Sequence, residues 1–217
     1  ANIVDQLADR TKAIAAYLSR KKITDTKILT YVEHIRTTTS GLRQQLGHLT
    51  PSLKFARTTR TNINLITFCE NLAEYHQSRW KNYPISLAVR ILDPFSVKIN
   101  QGKLTQVFDN LIINSDYWLK EDLEAGRIDK GIITIRISEP HIVISDNGRG
   151  IDPSIEAALF EPSVSRKKNG RGLGLYVAQQ LLDSEGCSIK LRARRNSNNR
   201  FYQFELDLSG CLIDGVE

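Results

Sequence analysis

The chain has 217 residues, of which 41% are hydrophobic and 25% charged, and this composition suits one or two soluble domains. No apolar run approaches the roughly 18 residues of a membrane-spanning helix and no signal peptide is recognisable, so we expect a cytoplasmic chain without a membrane span. The net charge of +6 lies on residues 1–80, where a solvated helical surface explains it better than a nucleic-acid contact, because interleaved aromatic residues and a recognition motif are lacking.

The three cysteines are few, odd in number and without the spacing of metal ligands: Cys69, Cys187 and Cys211. This pattern predicts a reduced cytosolic chain whose thiols are buried or idle. The sequence contains no methionine, so we expect a fragment or a product trimmed at its N-terminus.

The first domain is predicted to be a helical hairpin within residues 1–80. Residues 1–20 have helical periodicity, and Thr24 and Asp25 are candidate caps for the helix that follows. That second helix carries apolar positions at alternating steps of four and three: Ile28, Val32, Ile35, Thr39, Leu42, Leu46 and Leu49. Two helices with exposed apolar seams are not stable alone, so the pattern predicts a four-helix bundle formed by a homodimer through residues 1–50.

The second domain, residues 81–217, is predicted to begin after a helix that starts near Asn64 and ends by Pro84. Residues 85–91 and 95–99 alternate as strands joined at Asp93 and Pro94. A helix is expected from Lys103 to Leu119, followed by a charged loop over residues 121–130.

Two hairpins complete this domain. Residues 132–137 and 141–144 are expected to pair across Glu139 and Pro140, and residues 187–193 are expected to pair with residues 201–208. Residues 210–217 are predicted to be a tail. Helices on one face of a mixed sheet give a two-layer α/β sandwich, so the fold class of the whole chain is α+β.

Two glycine clusters carry the chemistry of this domain. The first, residues 146–150, follows an apolar strand and begins with Asp146; the second is residues 170–174. Glycine lets backbone N–H groups approach a phosphate, and the helical pattern after Gly174 would place a helix N-terminus beside it. Asp146 can accept a hydrogen bond from an exocyclic amine such as that of adenine. Either cluster alone also fits a simple turn.

A third motif lies upstream, where Asn110 and Asn114 occupy one face of an otherwise apolar helix. An amide oxygen there can hold a divalent cation that bridges phosphates, because such cations prefer oxygen ligands.

These three blocks, in this order and spacing, resemble the ATP-binding domain shared by histidine kinases, gyrase-type ATPases and Hsp90, and most of all the catalytic domain of sensor histidine kinases. The resemblance identifies residues 110–114 as the N box, 146–150 as the G1 box, the surroundings of Phe160 as the F box and 170–174 as the G2 box. It implies a dimeric ATP- and Mg²⁺-dependent kinase with a response-regulator receiver domain as partner.

The resemblance also implies roles for single residues. Asp146 reads the adenine, Asn114 holds Mg²⁺ and Asn110 supports the metal and the phosphates. A lid over residues 151–170 contains Phe160 and the polar residues Ser165, Arg166, Lys167 and Lys168, of which Lys167 best matches the lysine that clamps the γ-phosphate. Contacts to the nucleotide are further expected from Tyr117, Trp118, Gly148, Gly150, Gly170, Gly172, Leu173 and Gly174. Trp118 fits adenine stacking and core filling equally well. The basic residues 166–168 also fit a solvated mobile loop. Arg171 stands where a small hydroxyl residue is usual in the family, which leaves the chemistry of the lid open.

Asn110 separates the branches of this family. The gyrase and Hsp90 branch has a glutamate at this position that activates water, whereas an asparagine cannot act as a base. Asp109 points roughly 100° further around the helix. Slow hydrolysis and transfer to a protein side chain are therefore expected, with Asn110 and Lys167 as the catalytic residues.

The phospho-accepting histidine is not found where the resemblance implies it, because residues 1–20 contain none. His34 and His48 lie on the second helix, where an exposed surface histidine is the simpler interpretation. We therefore expect the acceptor upstream of Ala1. Three alternatives remain at this point: an ATPase that uses nucleotide as a conformational clamp, a nucleotide-binding scaffold without phosphotransfer, and a related serine kinase.

Overall fold

The computed structural model describes residues 59–167, 170 and 172–213, and twelve positions nearer the N-terminus: Thr11, Ala13, Ile14, Tyr17, Leu18, Arg20, Asp25, Ile28, Thr30, Tyr31, Val32 and Ile35. The chain divides into two compact units, Ala1–Arg57 and Thr58–Glu217.

In the first unit, every described residue except Asp25 is helical. The Asp25 carboxylate accepts a hydrogen bond from the Ile28 N–H at 3.2 Å, which is the predicted cap. Ile28 and Ile35 of the predicted apolar seam are 41% and 46% exposed. The pairing of two helices into a hairpin, as well as His34 and His48, lies outside the described residues.

The boundary between the units differs from the predicted one at residue 80. Strand β1 (Thr61–Asn64) pairs with β3 (Ser96–Ile99), and helix α1 (Leu65–Gln77) follows it directly. Ile63 and Leu65 are buried in the core of the second unit. The apolar side chains of residues 61–80 therefore assign this stretch to the second unit. The Asn64 carboxamide caps α1 by accepting from the N–H groups of residues 66 and 67.

The remaining elements form a five-stranded sheet and two long helices: β2 (Ile85–Asp93), α2 (Gln101–Glu124), β4 (Gly131–Ser138), β5 (His141–Asp146), α3 (Gly174–Asp183), β6 (Ser188–Leu191) and β7 (Gln203–Asp207). The strand order is β2-β4-β5-β7-β6, with β2 parallel to β4 and the other neighbours antiparallel. Both predicted hairpins are confirmed, since β4 pairs with β5 and β6 with β7.

Three expectations are corrected. The strands predicted at 85–91 and 95–99 exist but belong to different sheets, because β3 pairs with β1 and not with β2. Helix α2 continues to Glu124, through the start of the predicted charged loop, since Asp122 on its last turn is fully buried and ion-paired. The predicted tail includes a 3-10 turn (Ser209–Cys211) and a bridge from Leu212 to Val97, because Cys211 packs in the core.

The sheet has two chemically different faces. Alternate residues of β4 and their β5 partners, such as Ile135 and Ile144, are fully buried in one core with the apolar side chains of α2. The opposite, open face presents Thr134 and Ser145, which are paired across the same two strands.

No helix among the described residues is long and apolar enough to cross a membrane.

Candidate functional site

Asp146 ends β5 on the helix side of the sheet. Its Oδ2 accepts a hydrogen bond from Ser115 Oγ on α2 at 2.7 Å, and its Oδ1 accepts from the Gly148 N–H at 3.0 Å. Burial raises the pKa of this carboxyl, and the Ser115 and Gly148 hydrogen bonds oppose that shift. The two donors fix the orientation of the Asp146 carboxylate. Its oxygens are therefore already positioned to accept a hydrogen bond from a donor group on a ligand.

The glycines of the first cluster make room for protein as well as for a ligand. A Cβ on Gly148 would lie 3.0 Å from Asp146 Oδ1. Gly150 has a φ of +80°, and a Cβ there would lie 2.8 Å from both Arg200 Cβ and Asn196 Nδ2. The loop between β6 and β7 thus lies against Gly150, so this glycine is needed for that contact whether or not a nucleotide approaches it.

Asn110 on α2 faces the beginning of α3. A Cβ on Gly174, the first residue of α3, would lie 3.5 Å from Asn110 Oδ1, and the Asn110 Nδ2 is buried without a hydrogen-bond partner among the described residues. No side chain caps the first turn of α3. Unpaired N–H groups and an unpaired amide therefore meet at one helix N-terminus, the arrangement that suits a phosphate.

Asn114 lies one turn further along α2 and is half-buried. Its amide makes no hydrogen bond to any described residue, so its oxygen remains available to a ligand. Among the described residues no group of three or more His, Cys, Asp or Glu side chains could hold a metal ion. The amide oxygens of Asn110 and Asn114 fit a hard cation that completes its shell with phosphate oxygens and water.

Tyr117 and Trp118 form an edge-to-face pair, with ring centroids 5.0 Å apart. The Arg149 guanidinium lies 5.0 Å from the centre of the Trp118 ring, and Lys167 Nζ lies 4.7 Å from that of Tyr117. Burial lowers the pKa of Lys167 to about 8, an effect that the charge of Asp116 opposes. The lid lysine is thus partly desolvated and close to α2.

Two glycines of the second cluster, Gly170 and Gly172, pack against earlier residues of the lid. Gly172 has a φ of +65°, and a Cβ there would collide with the backbone of Val164. The Gly172 carbonyl accepts a hydrogen bond from the Ser163 N–H at 3.1 Å. Gly170 is packed equally closely against Ser165 and donates to the Lys167 carbonyl. These contacts hold Gly170 and Gly172 against residues 163–167. Leu173, which follows, is 41% exposed.

The other predicted lid residues contact the protein. The Phe160 ring packs edge to face on Phe204 at 6.3 Å, so it anchors the lid to the core. Arg166 donates to Ser154 Oγ and lies 3.8 Å from Asp152, within the lid. Lys168 and Arg171 lie outside the described residues.

Sequence reasoning missed two residues of the site. Ser115 orients Asp146, and its position directly after Asn114 was a usable signal. Asp122 binds Arg127 and Arg149 through its Oδ1; it was overlooked because its stretch was interpreted as a loop. Burial opposes ionisation of Asp122, but hydrogen bonds from both arginines outweigh it and lower its pKa.

The family model described as "Histidine kinase-, DNA gyrase B-, and HSP90-like ATPase" matches residues 99–210. The sensory histidine kinase/phosphatase NtrB of Vibrio alginolyticus is 26% identical over 193 residues, which are 82% of this chain and 53% of NtrB. The alginate biosynthesis sensor protein KinB of Pseudomonas aeruginosa is 31% identical over 123 residues, 54% of this chain and 20% of KinB. The chain thus spans about half of NtrB and a fifth of KinB.

Solved structures share the fold. The mycobacterial sensor histidine kinase MprB aligns with a TM-score of 0.56 and 19% identity, over 69% of this chain and 96% of that one. Full-length ShkA, crystallised in complex with AMPPNP, aligns with a TM-score of 0.61 and 16% identity, over 98% of this chain and 47% of ShkA. At these identities the likeness shows the fold alone.

The matched stretch is just over half of the chain and contains the Asn110 helix face, Asp146 and both glycine clusters. NtrB is named a sensory histidine kinase/phosphatase and KinB a sensor protein, and the matched family is one of ATP-binding domains. The chain therefore belongs to the histidine kinase-, DNA gyrase B- and HSP90-like ATPase family.

Proposed function

We propose that the chain is the kinase core of a protein histidine kinase in a two-component system. It binds ATP with Mg²⁺ and transfers the γ-phosphate to a histidine, from which the phosphoryl group passes to an aspartate of a response-regulator receiver domain. The family match and the description of NtrB as a histidine kinase/phosphatase support this proposal. Residues 1–50 form the homodimer, and the chain acts in the cytoplasm.

One observation favours transfer over hydrolysis: the side chain that faces the N-terminus of α3 is Asn110, an amide that cannot take a proton from water. The nearest carboxylate along α2, Asp109, is hydrogen-bonded to His76 on α1 at 2.9 Å. Without a base beside the phosphates, attack by water is slow, and an incoming imidazole nitrogen is the better nucleophile.

In the proposed reaction, Asp146 accepts a hydrogen bond from the exocyclic amine of adenine while Ser115 and the Gly148 N–H hold the carboxylate in place. The first-turn N–H groups of α3 and the Asn110 amide bind phosphate oxygens. Lys167, closing with the lid, neutralises charge on the γ-phosphate. The imidazole nitrogen then bonds to the γ-phosphorus as the bond to the bridging oxygen breaks and ADP leaves, so these residues act by positioning and charge stabilisation.

The metal is held by amide oxygens in this proposal. Asn114 is the ligand and Asn110 supports it, consistent with an Asn114 amide that makes no hydrogen bond to any described residue. A bound Mg²⁺ would neutralise phosphate charge during transfer.

The test uses the full-length protein with Mg²⁺ and γ-labelled ATP. We expect label on the protein that survives base and is lost in acid, as phosphohistidine does. An Asp146→Asn variant should lose the label, whereas Asp183→Asn, the same change on the exposed end of α3, should keep it.

Two outcomes contradict the proposal. Release of free phosphate with an unlabelled protein indicates the ATPase that uses nucleotide as a clamp. Bound ATP with neither label nor phosphate release indicates the nucleotide-binding scaffold.

A further inference from the structure

A cavity of about 810 Å³ opens where the open face of the sheet meets the loop between β6 and β7. Its wall contains Thr134 and Ser145, which lie on the face opposite α2 and α3. Asn110, Asn114, Gly172 and Gly174 are not among its lining residues, whereas Asp146 and Gly148 of the first glycine cluster contribute to its wall. The cavity is therefore separate from the phosphate end of the nucleotide site.

The cavity is strongly cationic. Only two carboxylates line it, those of Asp122 and Asp146. Five arginines line it: Arg90, Arg127, Arg149, Arg194 and Arg195. Asp122 is already bound by Arg127 and Arg149, and Arg195 lies 3.5 Å from Glu156. The guanidinium groups of Arg90 and Arg194 form no ion pair and no hydrogen bond with any described residue, so their charge is available to a ligand.

Hydroxyl groups add uncharged donors to the same wall. Thr134, Ser145, Ser197 and Tyr202 line the cavity, and none of their hydroxyls is hydrogen-bonded within the described part of the chain. Ser145 is only 7% exposed, and it lines this cavity. A ligand or water that supplies an acceptor would satisfy such a hydroxyl.

We propose that this cavity binds a small polyphosphate anion, an inorganic or ligand-borne chain of two or more phosphate groups. A guanidinium pairs with phosphate oxygens through two parallel hydrogen bonds, and tetrahedral phosphates present acceptors in the several directions from which the hydroxyls donate. A planar carboxylate presents its oxygens in one plane only. The volume lies within the roughly 300–1,000 Å³ range of small-molecule sites, which admits more than one phosphate group.

The test titrates inorganic tripolyphosphate into the full chain by calorimetry without Mg²⁺. We expect one site, and an affinity reduced about tenfold or more in the Arg90→Gln/Arg194→Gln double variant, since each guanidinium contributes charged hydrogen bonds to the anion. The matched control is Lys190→Gln/Arg192→Gln, which removes two cations that pair with Glu205 outside the cavity. The control should change the affinity less than about twofold.

Variants of each site distinguish ligand binding in this cavity from ligand binding in the nucleotide site. Lys167→Gln should weaken AMPPNP binding and leave tripolyphosphate binding unchanged, while Arg90→Gln/Arg194→Gln should do the reverse. Equal losses in the cavity and control variants, a loss confined to Lys167→Gln, or no binding overturns the proposal. Tight binding of a ten-nucleotide single strand without tripolyphosphate binding would assign the cavity to a nucleic-acid backbone and would also overturn it.

Discussion

His76 Nε2 on α1 lies 2.9 Å from Asp109 Oδ1 on α2, and His76 is only 1% exposed. This hydrogen bond joins two helices directly behind Asn110 and directs the Asp109 carboxylate toward α1. The acidic residue next to the N box thus has a structural partner, so it is not a free base for hydrolysis.

Asp109→Asn should therefore lower stability without lowering phosphotransfer. Replacing a charged acceptor of a buried imidazole weakens one hydrogen bond, so we expect a loss of about 1–3 kcal/mol in the free energy of unfolding. Urea unfolding measures this loss. Asp129→Asn, the same substitution at an exposed position, is the control and should change stability by less than about 0.5 kcal/mol. Abolished phosphotransfer in a folded Asp109→Asn protein would show that the carboxylate takes part in the chemistry.

Asp122 should make stability depend on pH in the acid range. Burial raises the pKa of Asp122, but hydrogen bonds from Arg127 and Arg149 outweigh burial and hold it below its ordinary value of 3.8 in the folded state. The charged carboxylate therefore stabilises the fold fully above that ordinary value, and this contribution is lost as pH falls through the folded pKa.

Asp122→Asn should consequently cost about 3 kcal/mol at neutral pH, the lower end for a broken buried ion pair because both arginines are partly exposed. The difference in unfolding free energy between the wild type and this variant should shrink below pH 3.8. Chemical denaturation across pH 2.5–7 measures it. A difference that is constant over this range would mean that the Asp122 charge contributes nothing.

Much of this architecture was predictable because local patterns agreed with the tertiary fold. The alternating strands around Glu139 and Pro140 and the apolar face around Asn110 each specify one buried side, so hairpin and helix follow from the sequence. The pairing of β1 with β3 was not predictable, since four alternating residues do not specify a distant partner. The end of α2 depended on the burial of Asp122, which only the tertiary ion pairs explain.

The candidate site, too, could be predicted from the sequence only in part. Asp146 and the glycine clusters were identifiable because few other residue types suit a close approach of backbone and ligand. The partner of Arg149 was not, because Asp122 lies on α2, 27 residues earlier in the chain. The cavity at Arg90 and Arg194 depends on strands far apart in sequence, so composition alone could not reveal it.

The lid lysine should make ATP affinity depend on pH near neutrality. Burial lowers the pKa of Lys167 to about 8, so its positive charge is complete well below that pH and is lost as pH rises through it. ATP affinity should therefore fall between pH 7 and 9, by up to about tenfold for one charged contact. Calorimetric titration at several pH values measures the profile. Lys167→Arg keeps its charge across this range and should flatten the profile; an unchanged slope in this variant would assign the dependence to another group.

Gly172 and Gly126 allow the lid geometry to be tested apart from backbone strain. Both have a positive φ, +65° and +64°, but a Cβ on Gly126 meets nothing within 4 Å, whereas a Cβ on Gly172 collides with the Val164 backbone. Either substitution by alanine costs about 1–2 kcal/mol of stability through its left-handed conformation. Only Gly172→Ala should also displace the backbone around Val164 and weaken ATP binding, by about tenfold or more. Calorimetry with AMPPNP measures the affinity and thermal unfolding measures the strain. If both variants bind AMPPNP as the wild type does, then the contact between Gly172 and Val164 does not shape the nucleotide site.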